Sequence, residues 1–578
     1  MTTGTPRPRA GRHEQACPSP VAALVMVALL AAPLTAQDRA WWDTLPPVEQ
    51  PRITWSRQSL HVPMRDGVRL AVDLYLPTGA DRAHPVATIL HQTRYRRGLQ
   101  FRDPAREAAA GPTAGLMPFL QAGYAVVIVD VRGTGASFGS RTTEFSPEEV
   151  RDGWDVLDWI VAQPWSDGVV GATGISYPGT TAELAGTLGH PALKAVAPLF
   201  SIYDFLPDVI RPGGIFLDPF FRSWASLVAR MDANRLDPPG GPVTGVRPVD
   251  GPEGGRLLAE AIAEHAANAS IHPQAAALTS RDARSPDGIS LDAVSPHARY
   301  DTLSRRIPIY SYGGWADGFS GSQIARFVAQ PSPGSRLLMG PWNHGGAWAY
   351  YPGQRPVRSQ FDQSRELLRF FDWHLRGIPT GIEHEPPVWY FTTGSNQWKS
   401  AERWPVATRD TVVMLAGSRE GGPVRRLAVN PTLGTGNQSR WNTILGGGAV
   451  AYRPRQASDT AGQLHLTVVP VLEAPLTLTG RARVRLELAA AAPGTTLFLY
   501  LEEVDATGAG ALVAEGQVLA PGPGVIEVAL LPVSHQFAAG RGIRVVVTRR
   551  DIDHFAADAT TGTPVEVAAV RVTLPIEP

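Results

Sequence analysis

The sequence contains almost no cysteine: Cys17 is the single one among 578 residues. It precedes an apolar stretch over residues 21–32 that we interpret as part of a secretory signal, so the mature chain is expected to contain no cysteine at all. Disulfide bonds, a cysteine nucleophile and thiolate metal sites are therefore excluded. No group of His, Asp and Glu shows metal-ligand spacing either, so no metal or other cofactor is expected.

An excess of charge of one sign is also missing. Lys and Arg total 53, and Asp and Glu total 53. Such a chain has no net field to attract nucleic acid, an anionic membrane surface or a polyanionic substrate. We therefore expect a small neutral or locally selected substrate and no nucleic-acid partner. The composition leaves the formation of a homo-oligomer open.

Long hydrophobic runs are absent beyond the N-terminal region. Residues 1–36 combine three early arginines with the apolar stretch 21–32 and the small-residue ending Pro33-Leu34-Thr35-Ala36, a pattern typical of a signal peptide. The apolar stretch is shorter than the roughly 20 residues that span a bilayer. We predict a cleaved signal peptide over 1–36 and a secreted or periplasmic protein whose mature form has no membrane span. An uncleaved anchor is the alternative.

The length predicts two or three domains at about 100 to 200 residues each. Over 50–199, short apolar runs alternate with helical patterns, which indicates a mostly parallel sheet covered by helices on both faces. Aromatic residues and Pro-Gly loops replace this alternation over 200–299, predicted to be a helical cap. Strand patterns return over 300–385, the second part of the α/β core. Short alternating runs over 386–578 predict a jelly-roll-like β-sandwich.

One serine lies where a nucleophile belongs in such a sheet. The segment Gly174-Ile175-Ser176-Tyr177-Pro178-Gly179 follows a predicted strand and precedes a predicted helix, the context of a nucleophile elbow. Its second glycine comes one position later than in G-x-S-x-G. A serine between glycines can also have a purely structural role in the turn. Ser176 is the candidate nucleophile.

A serine hydroxyl needs a base, and the base needs a group that holds its tautomer. Asp317 follows the predicted strand 307–312, and His344 follows the predicted strand 335–339, so acid and base come after Ser176 in the order that this fold requires. Asp317 could instead cap the next helix. His344 could be an ordinary loop histidine, yet of the 14 histidines it alone combines this order with a strand end.

These motifs together resemble the cocaine-esterase and X-Pro dipeptidyl-peptidase group, the CocE/NonD family of α/β hydrolases, which has the same layout as the α-amino-acid ester hydrolases. The matching segments are Val62–Pro77 (VPMRDGVRLAVDLYLP), Asp130–Gly139 (DVRGTGASFG), Gly174–Gly179 (GISYPG), Gly313–Phe319 (GGWADGF) and Gly340–Gly346 (GPWNHGG). The resemblance implies an α/β-hydrolase fold with a helical cap insertion and a C-terminal all-β jelly-roll domain.

The resemblance also implies an oxyanion hole built from one backbone N–H and one tyrosine hydroxyl. The matching positions are the N–H of Tyr177 and the hydroxyl of Tyr95, in His91–Arg97 (HQTRYRR). Tyr95 lies among arginines here, whereas the family has an Asn-Pro-Tyr context. An exposed loop tyrosine is the alternative interpretation of Tyr95.

The predicted function is hydrolysis of a carboxylic ester or amide through a Ser-His-Asp triad and an acyl-enzyme. The resemblance leaves the substrate open among simple esters, α-amino-acid esters or β-lactam amides, and X-Pro dipeptides. The last two need an anionic pocket for a free amine, for which Asp204, Asp208 and Asp218 in the cap are candidates. An acyltransferase and a glycan-binding surface protein are the alternatives from other classes. Asp130 and Arg132 are predicted to form a salt-bridged turn.

Overall fold

A computed structural model describes residues 53–112, 115–235, 240–302, 306–329, 332–415, 424–560 and 563–578. The predicted signal peptide over 1–36 lies outside the described residues. None of the described helices is long and apolar enough to cross a membrane.

A large, mostly parallel sheet forms the first two thirds of the chain. The strands of this part are β1 (Trp55–Pro63), β2 (Arg69–Pro77), β3 (Val86–Thr93), β4 (Leu99–Phe101), β5 (Ala125–Asp130), β6 (Ser166–Ile175), β7 (Leu193–Leu199), β8 (Val243–Val246), β9 (Tyr310–Ala316), β10 (Arg336–Asn343), β11 (Trp348–Ala349), β12 (Val357–Arg358), β13 (Val388–Thr392) and β14 (Gln397–Ala401). The sheet runs in the order β1-β2-β5-β3-β6-β7-β9-β10. Neighbours from β5 to β10 are parallel, whereas β2 pairs antiparallel with both β1 and β5.

Helices cover both faces of this sheet. The α-helices among the described residues are α1 (Pro104–Ala108), α2 (Met117–Gln121), α3 (Pro147–Val161), α4 (Tyr177–Gly186), α5 (Asp218–Asp232), α6 (Gly254–Glu264), α7 (Ile271–Ala277), α8 (Leu291–Val294), α9 (Ser320–Ala329), α10 (Gln363–Arg376) and α11 (Arg440–Gly446). In β5, Val127 and Val129 pack with α3 and α4, while Val126 and Ile128 pack with α2 and α10. Alternate side chains of one strand thus enter opposite cores, which confirms the predicted double coverage.

The region predicted to be a helical cap contains α5 to α8, but it is not entirely helical. Strand β8 of this region pairs antiparallel with β4 of the core, through Leu99 with Val246 and Phe101 with Val243. The sequence pattern missed this pairing because both strands are too short to show an alternation. Helix α6 of this region ends at Glu264 and continues as a 3₁₀ turn over His265–Ala267.

Two antiparallel sheets form the C-terminal part. Their strands are β15 (Arg409–Met414), β16 (Arg425–Leu427), β17 (Gln463–Val469), β18 (Leu476–Gly480), β19 (Arg483–Ala490), β20 (Thr495–Val504), β21 (Gly510–Ala520), β22 (Gly524–Ala529), β23 (Val533–Phe537), β24 (Gly542–Thr548) and β25 (Val565–Ile576). One sheet has the order β22-β19-β25-β18-β23 and the other β17-β24-β20-β21. In β19, the buried residues Val484, Leu486 and Leu488 alternate along the strand with two arginines and a glutamate. One face of the strand therefore enters the sandwich core.

This architecture, an α/β-hydrolase core with an inserted cap and a C-terminal β-sandwich, confirms the predicted fold class. The parallel order also brings the ends of β6, β9 and β10 to one edge of the sheet. Those three strands precede Ser176, Asp317 and His344.

Candidate active site

Ser176 occupies a strained turn between β6 and α4. Its backbone has φ 65° and ψ −122°, a conformation that side-chain-bearing residues rarely adopt and that marks functional sites. Its N–H donates to the carbonyl of Leu199 at 2.9 Å, which fastens the turn to β7. The turn is also tight: a side-chain carbon on Gly179 would lie 2.7 Å from the carbonyl oxygen of Gly174. The late second glycine therefore serves the same close packing as in the usual motif.

Asp317 and His344 form a buried pair at the ends of β9 and β10. Nδ1 of His344 lies 3.0 Å from Oδ1 of Asp317, and the side chains are 6% and 0% exposed. Within the part of the chain that the structure describes, Nε2 of His344 is buried without a hydrogen-bond partner. The loop that carries His344 lies beside the turn that carries Ser176, since a methyl group on Gly345 would contact the side chain of Ile175 at 3.8 Å. The carboxylate thus orients the imidazole and leaves Nε2 for another group.

Tyr95 and Tyr177 line one cavity together with Ser176. Their rings meet edge to face, with centroids 6.0 Å apart and planes at 73°. The hydroxyl of Tyr95 accepts a hydrogen bond from the indole N–H of Trp224 at 3.1 Å. Burial raises the pKa of Tyr95 to about 12, so the phenol is a neutral hydrogen-bond donor throughout the physiological range. Tyr95 is therefore a cavity residue and not an exposed loop tyrosine.

The wall of this cavity is overwhelmingly apolar. Its hydrophobic members are Phe145, Ile202, Phe205, Val209, Ile210, Phe220, Phe221, Trp224, Ile271, Ala275, Leu278, Leu291, Val294, Phe319, Ile444 and Leu445. The cavity volume is about 70 Å³. A cavity of about 150 Å³ is known to hold benzene in another protein, so this space suits a short aliphatic group.

Glu144 is the one carboxylate among the described residues of the cavity wall, and its charge is balanced. Its oxygens lie 3.2 Å from Nε of Arg94 and 3.0 Å from Nε of Arg141. Asp232 bridges the same arginines at 3.0 and 2.8 Å. Two buried cations and two buried anions leave no net charge for a ligand amine to neutralise.

None of the three cap aspartates lines this cavity, so the structure does not support them as candidate acids for a substrate amine in this pocket. Asp204 pairs with Arg281 at 2.5 Å. Asp208 accepts the backbone N–H of Tyr203 at 2.9 Å. Asp218 lies 2.7 Å from His272. The chain order placed them in the cap, but the direction of each side chain depends on packing that the sequence pattern does not contain.

Asp130 and Arg132 are ion-paired, though not with each other as predicted. The carboxylate of Asp130 lies 2.8 Å from Arg97, and the guanidinium of Arg132 lies 2.6 Å from Asp152. Asp130 also accepts the N–H of Ala136 at 2.9 Å, which closes the glycine-rich turn. The segment is structural, but its partners lie outside it: Arg97 is in the connection between β3 and β4, and Asp152 is on α3.

Sequence reasoning missed the support under Tyr177. The Tyr177 hydroxyl donates to Glu149 at 2.6 Å, and the other carboxylate oxygen of Glu149 accepts the N–H of Phe145 at 3.0 Å. Burial, reinforced by nearby Glu144, raises the pKa of Glu149 to about 8. Ser146 and Glu149 have the spacing of a helix capping box, so the pattern indicated a cap of α3 but not the contact with Tyr177.

The C-terminal part also reaches the site. Nη1 of Arg440 donates to the carbonyl of Trp315 at 2.8 Å, two residues before Asp317. Asn343, the residue before His344, donates from its Nδ2 to the carbonyl of Gly448 at 2.7 Å. The segment around α11 therefore holds both loops that carry the acid and the histidine.

Comparison with known proteins places this geometry in a family. A family model described as X-Pro dipeptidyl-peptidase (S15 family) matches residues 66–346, and a model of the X-Pro dipeptidyl-peptidase C-terminal non-catalytic domain matches residues 380–571. A Mycobacterium bovis protein named "Putative serine esterase" is 39% identical over 90% of this chain and 94% of its own length. The chain belongs to the S15 family of serine hydrolases.

Other known proteins are similar to this chain over most of its length. The cocaine esterase of Rhodococcus sp. is 29% identical over 87% of this chain and 92% of its own. An aminopeptidase from a Thaumarchaeota archaeon has the same fold, with a TM-score of 0.69 at 19% identity over 93% of this chain and 98% of its own. An α-amino acid ester hydrolase has a TM-score of 0.67 at 20% identity over 93% and 99%. The predicted family and the predicted enzyme class, a serine hydrolase, are confirmed.

Proposed function

We propose that this S15-family protein is an esterase in which Ser176 is the nucleophile, His344 the general base and Asp317 the residue that orients His344. The serine Oγ attacks the ester carbonyl while Nε2 of His344 takes its proton. The same imidazole returns the proton to the leaving alcohol, and water then hydrolyses the acyl-enzyme by the reverse route. The contact between His344 and Asp317 supports these roles, since it leaves Nε2 as the acceptor.

The oxyanion formed at each step accepts hydrogen bonds from the backbone N–H of Tyr177 and from the hydroxyl of Tyr95. Both tyrosines line the cavity with Ser176, which supports this assignment. One donor aimed at a developing oxyanion contributes about 3 to 4 kcal/mol to catalysis. Because burial keeps the Tyr95 hydroxyl protonated, this donor is available across the range in which a histidine base is neutral.

The proposed substrates are uncharged esters with a short aliphatic acyl group. The observation that carries this proposal is the apolar wall around Ser176, in which the carboxylate of Glu144 is already paired with two arginines. A free amine, as in α-amino-acid esters or X-Pro dipeptides, would be buried there without a counter-charge, which costs several kcal/mol. Of the activities named among the relatives, that of an esterase fits this wall.

The test compares p-nitrophenyl acetate, butyrate and benzoate with an amino-acid ester and an X-Pro p-nitroanilide. We expect kcat/KM to be highest for acetate or butyrate and at least about tenfold lower for the cationic substrates. Ser176→Ala should abolish turnover and fluorophosphonate labelling, whereas Ser280→Ala, at an exposed cap position, should leave both unchanged. Unaltered labelling of Ser176→Ala would refute the nucleophile, and a preference for the anilide would refute the substrate class.

We also propose that the protein is exported and that cleavage follows Ala36, on the strength of the charge and hydropathy pattern of residues 1–36. Expression of the full chain in a bacterial host followed by N-terminal sequencing of the periplasmic protein tests this. A full-length chain confined to the cytosolic fraction would contradict it.

A further inference from the structure

A hydrogen bond connects the cap to the tyrosine of the proposed oxyanion hole. Trp224 lies on α5, is 7% exposed, and donates its indole N–H to the hydroxyl oxygen of Tyr95 at 3.1 Å. An indole N–H can only donate, so the phenol oxygen must be the acceptor in this contact. Within the described part of the chain, this is the one hydrogen bond recorded for the Tyr95 hydroxyl. Its own hydrogen therefore remains available for an acceptor in the cavity.

Tyr95 makes two contacts that do not involve its hydroxyl. Its backbone N–H donates to Oγ1 of Thr93 at 2.9 Å, and its ring packs edge to face against Tyr177. What these contacts leave free is the rotation of the hydroxyl about the C–O bond. A donor on one side of the oxygen removes that freedom because it occupies one lone pair, and the hydrogen must then point elsewhere.

A donor to the phenol oxygen has a second effect. When the phenol shares its hydrogen with an oxyanion, negative charge accumulates on the phenol oxygen. A hydrogen bond donated to that oxygen stabilises this charge, since consecutive hydrogen bonds polarise one another. The indole N–H also opposes the rise in pKa that burial imposes on Tyr95.

We propose that Trp224 is a positioning residue of the oxyanion hole, whose indole N–H directs the Tyr95 hydroxyl hydrogen toward the oxyanion formed at Ser176. This inference rests on the proposed function, in which Tyr95 is an oxyanion donor. It assigns to the cap a part in the chemistry besides enclosing the substrate. The bond should matter more in the transition state than in the bound ester, because the carbonyl oxygen carries its full charge only there.

The test is a double-mutant cycle on hydrolysis of p-nitrophenyl butyrate. Trp224→Phe keeps an aromatic wall and removes the N–H, so kcat should fall about 3- to 10-fold with KM within about twofold. Tyr95→Phe should lower kcat about 100-fold or more. In the Tyr95→Phe background, Trp224→Phe should change kcat by less than about twofold, because the acceptor is gone. Thermal melts of each variant check that the cap is folded.

A second replacement separates the N–H from the shape of the ring. Site-specific incorporation of 3-benzothienylalanine at position 224 keeps the bicyclic ring and exchanges N–H for sulfur, so it should reproduce the loss in kcat. Phe221→Leu is the matched control: Phe221 lies on the same helix and lines the cavity but carries no polar atom. Phe221→Leu should change mainly KM. Its effect on kcat/KM should multiply with the effect of Tyr95→Phe on kcat/KM, as expected for independent residues.

The outcomes distinguish this inference from the proposed function. An equal loss of kcat from Trp224→Phe in both backgrounds, or full activity of the sulfur isostere, would show that Trp224 is only a wall residue. Unchanged turnover of Ser176→Ala would instead overturn the proposed function, whatever Trp224 does. Full activity of Tyr95→Phe would remove the oxyanion role of Tyr95 and this inference with it.

Discussion

Glu149→Gln should stabilise the protein, and increasingly so as the pH rises. The carboxyl of Glu149 is buried against Tyr177 and Phe145, and its pKa is raised from 4.5 to about 8, first by burial and then by Glu144. Between these values the folded chain keeps a proton that the unfolded chain releases. Stability therefore falls as pH rises from about 4.5 to 8 and levels off above that.

The size of the effect follows from the two pKa values. At about 1.4 kcal/mol per pKa unit, the linkage lowers stability by about 2 kcal/mol at pH 6 and by about 4 to 5 kcal/mol above pH 8. Glutamine resembles the protonated carboxyl: its oxygen can accept the Phe145 N–H, and its NH₂ can donate to the Tyr177 oxygen as a carboxyl O–H would. The Tyr177 hydroxyl, which donates to the carboxylate, then rotates to become the acceptor. The variant removes the titration, so its advantage over the native protein should be near zero at pH 4.5 and largest above pH 8.

Thermal unfolding of the two proteins between pH 4.5 and 9 measures this difference. A stabilisation of this size should raise Tm by several degrees at pH 9. Glu148→Gln is the matched control, because the neighbouring Glu148 side chain is 49% exposed and pairs with Arg151 at the surface. It should show no such trend. A constant difference between Glu149→Gln and the native protein at every pH would refute the assignment of a buried, protonated carboxyl.

Two further variants address the site and its surroundings. Asp317→Asn should lower kcat about 10³- to 10⁴-fold with little change in KM, because the imidazole loses the carboxylate that selects its tautomer. Steady-state kinetics measure this loss. A decrease in kcat of less than tenfold would contradict the role of Asp317. Glu144→Gln should destabilise the fold by about 3 kcal/mol, because Arg94 and Arg141 would then share Asp232 alone; an unchanged Tm would contradict a buried, paired Glu144.

Much of the candidate site could be predicted from local sequence. Ser176 follows a buried strand and precedes a helix, and Asp317 and His344 each follow a later strand. Parallel strands direct their C-terminal ends to one edge, so chain order alone predicts that such residues converge. The glycines around Ser176 have a local reason as well, since the turn leaves no room for side chains at Gly174 and Gly179.

The nature of the pocket could not be predicted in this way. Glu144 and the cap aspartates are all acidic residues of similar local context, yet Glu144 alone among them lines the cavity, and Arg94 and Arg141 neutralise it. From its local sequence, Glu149 is likewise an ordinary helix-capping residue. Only the packing of α4 shows that the Tyr177 hydroxyl lies 2.6 Å from it. Each of these contacts joins segments that are distant in the chain.

The sequence by itself determined the order of most strands and helices, the elbow at Ser176 and the strand ends that carry Asp317 and His344, because these depend on hydrophobic periodicity and turn chemistry within a few residues. Only the tertiary structure decided which charges cancel, whether Tyr95 lines the cavity or is exposed, and which cap residue contacts the Tyr95 hydroxyl. Those properties arise from side-chain directions and burial, and both are set when the cap and the β-sandwich pack against the sheet.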